Sequence, residues 1–87
     1  MKYRLDLRPS ARKDLEDLPQ EARDRVAAGV RTLIQDPRGP NSKALHGKFA
    51  GRHRLRVGNY RVMYIVDDEA HVVDVIRIGP RENFYVR

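Results

Sequence analysis

Apolar and polar positions alternate from the start of the chain. Tyr3, Leu5 and Leu7 interleave with Lys2, Arg4, Asp6 and Arg8, the two-residue period of a half-buried strand. Pro9 closes that segment, and Pro9-Ser10-Ala11 suits the opening of a helix whose first turns carry Asp14, Glu16 and Asp17. Ala11, Leu15 and Leu18 then recur at helical spacing, so residues 9–18 read as a short helix. The Leu18-Pro19 step breaks it, and Pro19 can begin the next helix at its first position. Over residues 19–35, Ala22, Val26, Val30, Leu33 and Ile34 share one helical face. Gly29 either weakens this helix by about 1 kcal/mol relative to alanine or permits close packing. Two helices with a tight break form a helical hairpin.

Asp36-Pro37-Arg38-Gly39-Pro40-Asn41 is a loop. Residues 43–51 hold two glycines and little periodicity, with Leu45 and Phe49 expected to anchor them to the core. Residues 52–57 alternate cleanly, Gly58-Asn59 is a two-residue turn signal, and residues 60–66 make a second strand. After a turn at residues 67–70, residues 71–78 form a third strand, apolar enough to lie centrally. The tail runs from Gly79. The expected fold is α+β: an N-terminal strand, a two-helix hairpin, then a three-stranded antiparallel meander, with the helices on one face of a mostly antiparallel sheet. A chain of 87 residues fits one small domain, residues 1–87, with a modest core.

With Gly58-Asn59 as the loop, Val57 faces Tyr60, Arg56 faces Arg61, Leu55 faces Val62, Arg54 faces Met63, His53 faces Tyr64 and Arg52 faces Ile65. One side of the hairpin is then Val57, Tyr60, Leu55, Val62, His53 and Tyr64. The other holds Arg52, Arg54, Arg56 and Arg61 with Met63 and Ile65. Like charges directly opposed destabilise a sheet, so folding alone gives no reason for this arrangement. A structural role exists as well, since arginine stems can cover Met63 and Ile65 while their heads reach water. A one-residue slip of register would scatter the patch.

Charge sharpens this picture. The formal net charge is +6, and the excess sits in residues 37–66, which carry seven basic residues and neither Asp nor Glu. A carboxylate-free window points to an anionic partner, phosphate above all. Cysteine is absent, which removes disulfides, zinc ribbons and thiol nucleophiles. No apolar run approaches the roughly 18 residues of a membrane span, and no signal-peptide core opens the chain, so a soluble cytoplasmic protein without a membrane partner is expected. Magnesium chemistry would want carboxylates where there are none, His46, His53 and His71 lack zinc-ligand spacing, and no phosphate loop or serine triad is present.

RNA can be cut without a metal if a base deprotonates the 2′-hydroxyl, cations meet the charge developing on phosphorus, and the 5′-oxygen receives a proton. Arginine suits the middle task, because its planar fork grips phosphate and keeps its charge. The tail offers Arg81 and, four residues on, Tyr85. A phenol near positive charge has a lowered pKa and can serve as the base. His53, which alternation turns toward the core, and His46, in a loop beside Gly47, are the rival bases.

The segments KALHGKFAGRHRLRVGNYRVMYIVDD and VDVIRIGPRENFY, with their Leu-Arg-x-Gly-x-Tyr-Arg element and Arg-x-x-x-Tyr tail, resemble the RelE/ParE toxin superfamily, nearer its RelE-type branch, over nearly the full length. The resemblance implies a ribosome-dependent endoribonuclease that cuts messenger RNA in the A site of the 70S ribosome. It also implies a cognate antitoxin that wraps the toxin, with operator DNA bound only through the toxin–antitoxin complex. It assigns Arg61 and Arg81 to phosphate and transition-state contacts and makes Tyr85 a base or stacking residue. Arg52 and Arg54 fall where the family often has lysines, which shifts more of the burden of base onto Tyr85. Arg56, Lys48 and Lys43 join as RNA-binding positions, with no cofactor or metal. Pro80 stands where the family often has histidine, and the C-terminal helix of some members is expected to be missing or very short. Two alternatives share the charge: a ParE-like toxin that inhibits DNA gyrase without nuclease activity, and a basic RNA- or ribosome-binding module without catalysis. Arg61, Arg81 and Tyr85 as a set distinguish the nuclease.

Overall fold

The alternation expected in residues 52–66 is realised from His53 onward; Arg52, expected opposite Ile65, stands before the paired residues, with its N–H donating to the Phe49 carbonyl at 3.1 Å. In the computed structural model, which describes residues 2–80, β3 (His53–Val57) and β4 (Tyr60–Asp67) are antiparallel neighbours with Val57 opposite Tyr60 and Arg56 opposite Arg61. Gly58 takes φ +57° at the first loop position, the left-handed conformation that glycine adopts without cost. Before them come β1 (Arg4–Leu7), α1 (Pro9–Glu16) and α2 (Gln20–Arg31), the last continued by a 3₁₀ turn at Thr32–Ile34. β2 (Ser42–Ala44) and a 3₁₀ turn at Gly47–Phe49 precede β3, and β5 (Val72–Pro80) ends the described chain.

The sheet order is β1-β5-β4-β3-β2, with β1 parallel to β5 and the other pairs antiparallel. The core lies between one sheet face and the helices. Val26, Val30 and Leu33 meet Leu55, Val62, Tyr64, Val73, Val75 and Ile78, and Ala11 of α1 joins them. Gly29 settles the choice left open by the sequence: a Cβ there would stand 2.6 Å from Val57 Cγ2, so glycine permits the close approach of α2 to β3.

Three features differ from the sequence expectation. The sheet has five strands, because Ser42–Ala44 pairs with β3 as an edge strand; three residues are too few to display a period. Leu45 and Phe49 are only half-buried and stand outside the core cluster. Strand β5 runs on to Pro80, with Gly79 opposite Arg61 and Pro80 opposite Tyr60, so the tail begins later than Gly79.

Strand β5 also carries a bulge. Tyr64 pairs with Val75 but Met63 pairs with Arg77, which leaves Ile76 as an extra residue. Side chains of α1 secure it: the Ser10 hydroxyl donates to the Ile76 carbonyl at 2.8 Å, and the Ile78 N–H donates to the Asp14 carboxylate at 3.0 Å.

Candidate functional site

Period 2 separates the two faces of the sheet. Leu55, Val62 and Ile78 form one line in the core. The neighbouring positions point the other way and form two rows across the strands. One row is Arg56, Arg61 and Gly79; the other is Lys43, Arg54, Met63 and Arg77. Met63 is fully buried and Arg61 is only 8% exposed, so the Arg61 guanidinium is held by its surroundings. Arg52 adds to this face, with Nη1 3.8 Å from Met63 Sδ and its guanidinium carbon 5.9 Å from the Phe49 ring centroid. Lys48 Nζ lies 5.4 Å from the same centroid. The Arg52 head itself, not its stem, thus rests against Met63, and it brings charge to the patch.

The window that lacks carboxylates in sequence largely lacks them in space. Among the described residues, Lys43, Lys48, Arg52, Arg54 and Arg56 make no ion pair. Arg38 is different: it grips Asp68 with both guanidinium nitrogens at 3.1 and 2.8 Å, and the Tyr3 hydroxyl donates to the same carboxylate at 2.8 Å. Those hydrogen bonds hold the Asp68 carboxyl below its usual range, the Arg38 bond first. Arg38 therefore staples the 36–41 loop to the β4–β5 turn. Asp74 is the exception on the arginine face: it stands opposite Ile65, two residues along β4 from Met63, and is held by Arg8 at 2.9 Å.

The candidate bases separate on geometry. His53 stacks on Tyr64 with centroids 5.5 Å apart, on the core side of the hairpin and away from the arginine rows. Its Nδ1 is buried with no hydrogen-bond partner among the described residues, and burial pushes its pKa down. The Tyr64 hydroxyl is buried, donates to the Pro37 carbonyl, and is pushed up by desolvation. His46 is exposed at the start of the Gly47–Phe49 turn. Arg81 and Tyr85 lie outside the described residues.

Arg77 is the residue that sequence reasoning missed. Val73 and Val75 face the core, and strict alternation sends Arg77 after them. The bulge adds one residue, so Ile78 turns inward and Arg77 turns to the arginine face. The signal was present: Val75 and Ile78 are apolar three residues apart, which a regular strand cannot bury on one side.

The family model described as "ParE toxin of type II toxin-antitoxin system, parDE" matches residues 5–85. This chain is a toxin of the RelE/ParE family. Among relatives of this RelE-type toxin, Toxin RelG of Mycobacterium tuberculosis is 34% identical over 90 residues, covering 100% of both chains. The mRNA interferase toxin RelE of Escherichia coli K12 is 32% identical over 82 residues, covering 94% of this toxin and 86% of the relative. The toxin–antitoxin complex RelBE2 of Mycobacterium tuberculosis contains a chain with TM-score 0.85 and 30% identity, covering 93% of this toxin and 100% of that chain. No helix among the toxin's described residues is long and apolar enough to cross a membrane.

Proposed function

We propose that this toxin is a ribosome-dependent, metal-independent endoribonuclease that cleaves messenger RNA in the ribosomal A site and so inhibits translation, with residues 1–87 acting as one cytoplasmic domain. The observation that carries this reading is the arginine face itself: Arg56 and Arg61 directly opposed, with Arg54 two residues away on the same side. Folding does not favour that arrangement, but a phosphodiester about to gain negative charge does. The relative named an mRNA interferase supports it.

In this mechanism the base removes the 2′-OH proton, and the 2′-oxygen attacks the adjacent phosphorus in line. The P–O5′ bond breaks, and the leaving oxygen takes a proton. The products are a 2′,3′-cyclic phosphate and a 5′-hydroxyl. Arg61, held in place by its burial, and Arg81 stabilise the charge on the phosphoryl oxygens. Tyr85 is the base in this reading: His53 is committed to the core side, and His46, exposed at the start of the Gly47–Phe49 turn, is the remaining rival that Tyr85→Phe and His46→Gln cleavage assays separate. Arg52, Arg54, Arg56, Lys43 and Lys48 hold the RNA backbone. The natural inhibitor is a cognate antitoxin, as in the RelBE2 complex of the structural relative, with acidic residues where it covers residues 38–61. Operator DNA is reached only through that complex.

The test is primer extension on a translated message with ribosomes and purified toxin. Codon-phased cleavage is expected, and Arg61→Ala should slow single-turnover cleavage by about 10²–10³-fold. Absence of cleavage at every toxin concentration overturns the reading. The family model carries the ParE name, which keeps one second reading in view: inhibition of gyrase supercoiling by a toxin that cuts no RNA.

A further inference from the structure

The β5 bulge has a cost and a consequence. It interrupts the ladder between the two most extensive strands, and α1 commits Ser10 and Asp14 to its backbone. Without it, the parity of Val73 and Val75 would drive a guanidinium into the core. With it, Arg77 stands on the arginine face, directly across from Met63 and diagonal to Arg61. Bulges re-aim side chains next to functional sites, and this one aims a cation.

The rows set the geometry. Residues two apart on a strand are separated by about 6.6–6.8 Å, so the Arg56–Arg61 row and the Lys43–Arg54–Met63–Arg77 row stand at a distance that suits successive phosphates of one nucleic-acid strand. Within the second row, Arg54 and Arg77 flank Met63 from the two neighbouring strands, about 10 Å apart at the backbone. Long arginines at that separation can close on one group between them. Met63 contributes no charge and no donor. Lys43, on the edge strand, extends the row, and neither Lys43 nor Arg54 is neutralised by a carboxylate among the described residues.

We infer that Arg77, half-buried and turned to the arginine face by the β5 bulge, closes with Arg54 and Lys43 on a backbone phosphate next to the scissile one, with the RNA strand running along β4 and placing one phosphate on each row. This rests on the proposed nuclease reading and adds to it a residue, a second phosphate subsite and the direction of the RNA. Arg77 is here a positioning residue that contacts the backbone without touching the reacting bonds.

The test measures binding of a labelled eight-nucleotide single-stranded RNA to the full toxin by anisotropy, from 50 to 300 mM KCl. Each phosphate contact on a single strand contributes about 0.7 to the slope of log affinity against log salt. Arg77→Gln should therefore reduce the slope by about 0.7 and weaken binding about fivefold near 0.1 M salt. Arg77→Lys should keep the slope. Arg31→Gln, at the exposed end of α2, is the control for charge loss alone. Arg77→Met, which keeps the apolar stem, replaces the glutamine variant if thermal melting shows that one unfolded. An unchanged slope in the Arg77 variant, an equal fall in the Arg31 control, or no RNA binding by the unaltered toxin overturns the inference. Ribosomal cleavage is assayed in parallel. Cleavage with an unchanged slope removes the Arg77 subsite and leaves the nuclease. A reduced slope without cleavage removes the nuclease and leaves the phosphate contact.

Discussion

Gly29→Ala tests the closest approach between the helical layer and the sheet. The new methyl would stand 2.6 Å from Val57 Cγ2 and 3.4 Å from Cγ1. Val57 is β-branched, so it has few rotamers into which to retreat. It also sits beside the hairpin turn, where the backbone is fixed by the Tyr60 pairing. Overpacking of this kind costs about 1–3 kcal/mol. Alanine returns about 1 kcal/mol through helix propensity, so the net expectation is about 1 kcal/mol of destabilisation. For a domain of this size that is roughly 4–8 °C in Tm. In a Val57→Ala background both offending methyls are gone, and the same substitution should stabilise by about 1 kcal/mol. The coupling between the two sites is then about 2 kcal/mol, well beyond the roughly 0.5 kcal/mol within which independent sites add. Urea denaturation followed by far-UV circular dichroism on the four chains of the cycle measures it, with unchanged m-values as the check on two-state behaviour. If Gly29→Ala destabilises equally in both backgrounds, or stabilises the unaltered toxin, the close-approach argument is wrong.

Two further predictions concern stability. Tyr64→Phe removes the buried hydroxyl that donates to the Pro37 carbonyl; a loss of about 1–2 kcal/mol in urea is expected, and a neutral result would mean that the 36–41 loop does not depend on this bond. The pH profile should fall on the acid side in two stages: burial depresses the His53 pKa, so its stabilisation is complete above its ordinary value of about 6.5 and wanes as pH falls below it. Arg38 depresses Asp68, so that contribution is present above about pH 4 and is lost as pH falls through the folded value. Asp68→Asn should flatten the lower stage and deepen the upper one, because the Asp68 charge opposes the depression of His53, and parallel profiles for the two chains would contradict the assignment.

The hairpin was legible from His53 onward because three signals agreed: alternation, a two-residue turn, and residues of the right type on each side; the pair expected between Arg52 and Ile65 is not part of the ladder. Every pair expected from Val57–Tyr60 to His53–Tyr64 is found. The helices were legible from their apolar faces, and the turn at Pro19 from proline chemistry. What escaped has physical reasons. The edge strand Ser42–Ala44 makes its ladder with polar and small residues that bury little. Phe49 resembled a core anchor by type, but it lies beside Lys48 and Arg52 outside the core cluster. Arg77 escaped because alternation was read straight through a bulge. The parallel β1–β5 pairing is a long-range choice that no local period encodes. At the site, Arg52, Arg54, Arg56 and Arg61 were placed on one face by sequence and stand there, whereas the roles of Arg81 and Tyr85, outside the described residues, rest on their chemistry and on the resemblance.

Under the proposed function, stability and recognition are divided between the two faces of the same strands. Leu55, Val62 and Tyr64 hold the hairpin to α2, while Arg54, Arg56 and Arg61 on the alternate positions repel one another across β3 and β4. The repulsion costs stability, and the core side must supply the compensation: the glycine that lets α2 close on Val57, and the Arg38–Asp68 pair that fastens the 36–41 loop away from the patch. Asp68 can do this without quenching the site because it neutralises Arg38, which lies in the 36–41 loop and not on the arginine face. A phosphate or an acidic partner seated on the rows removes the repulsion, so whatever binds there also stabilises the fold, in proportion to its concentration over its dissociation constant. The same charge arrangement that selects the ligand therefore ties the stability of the toxin to the presence of one.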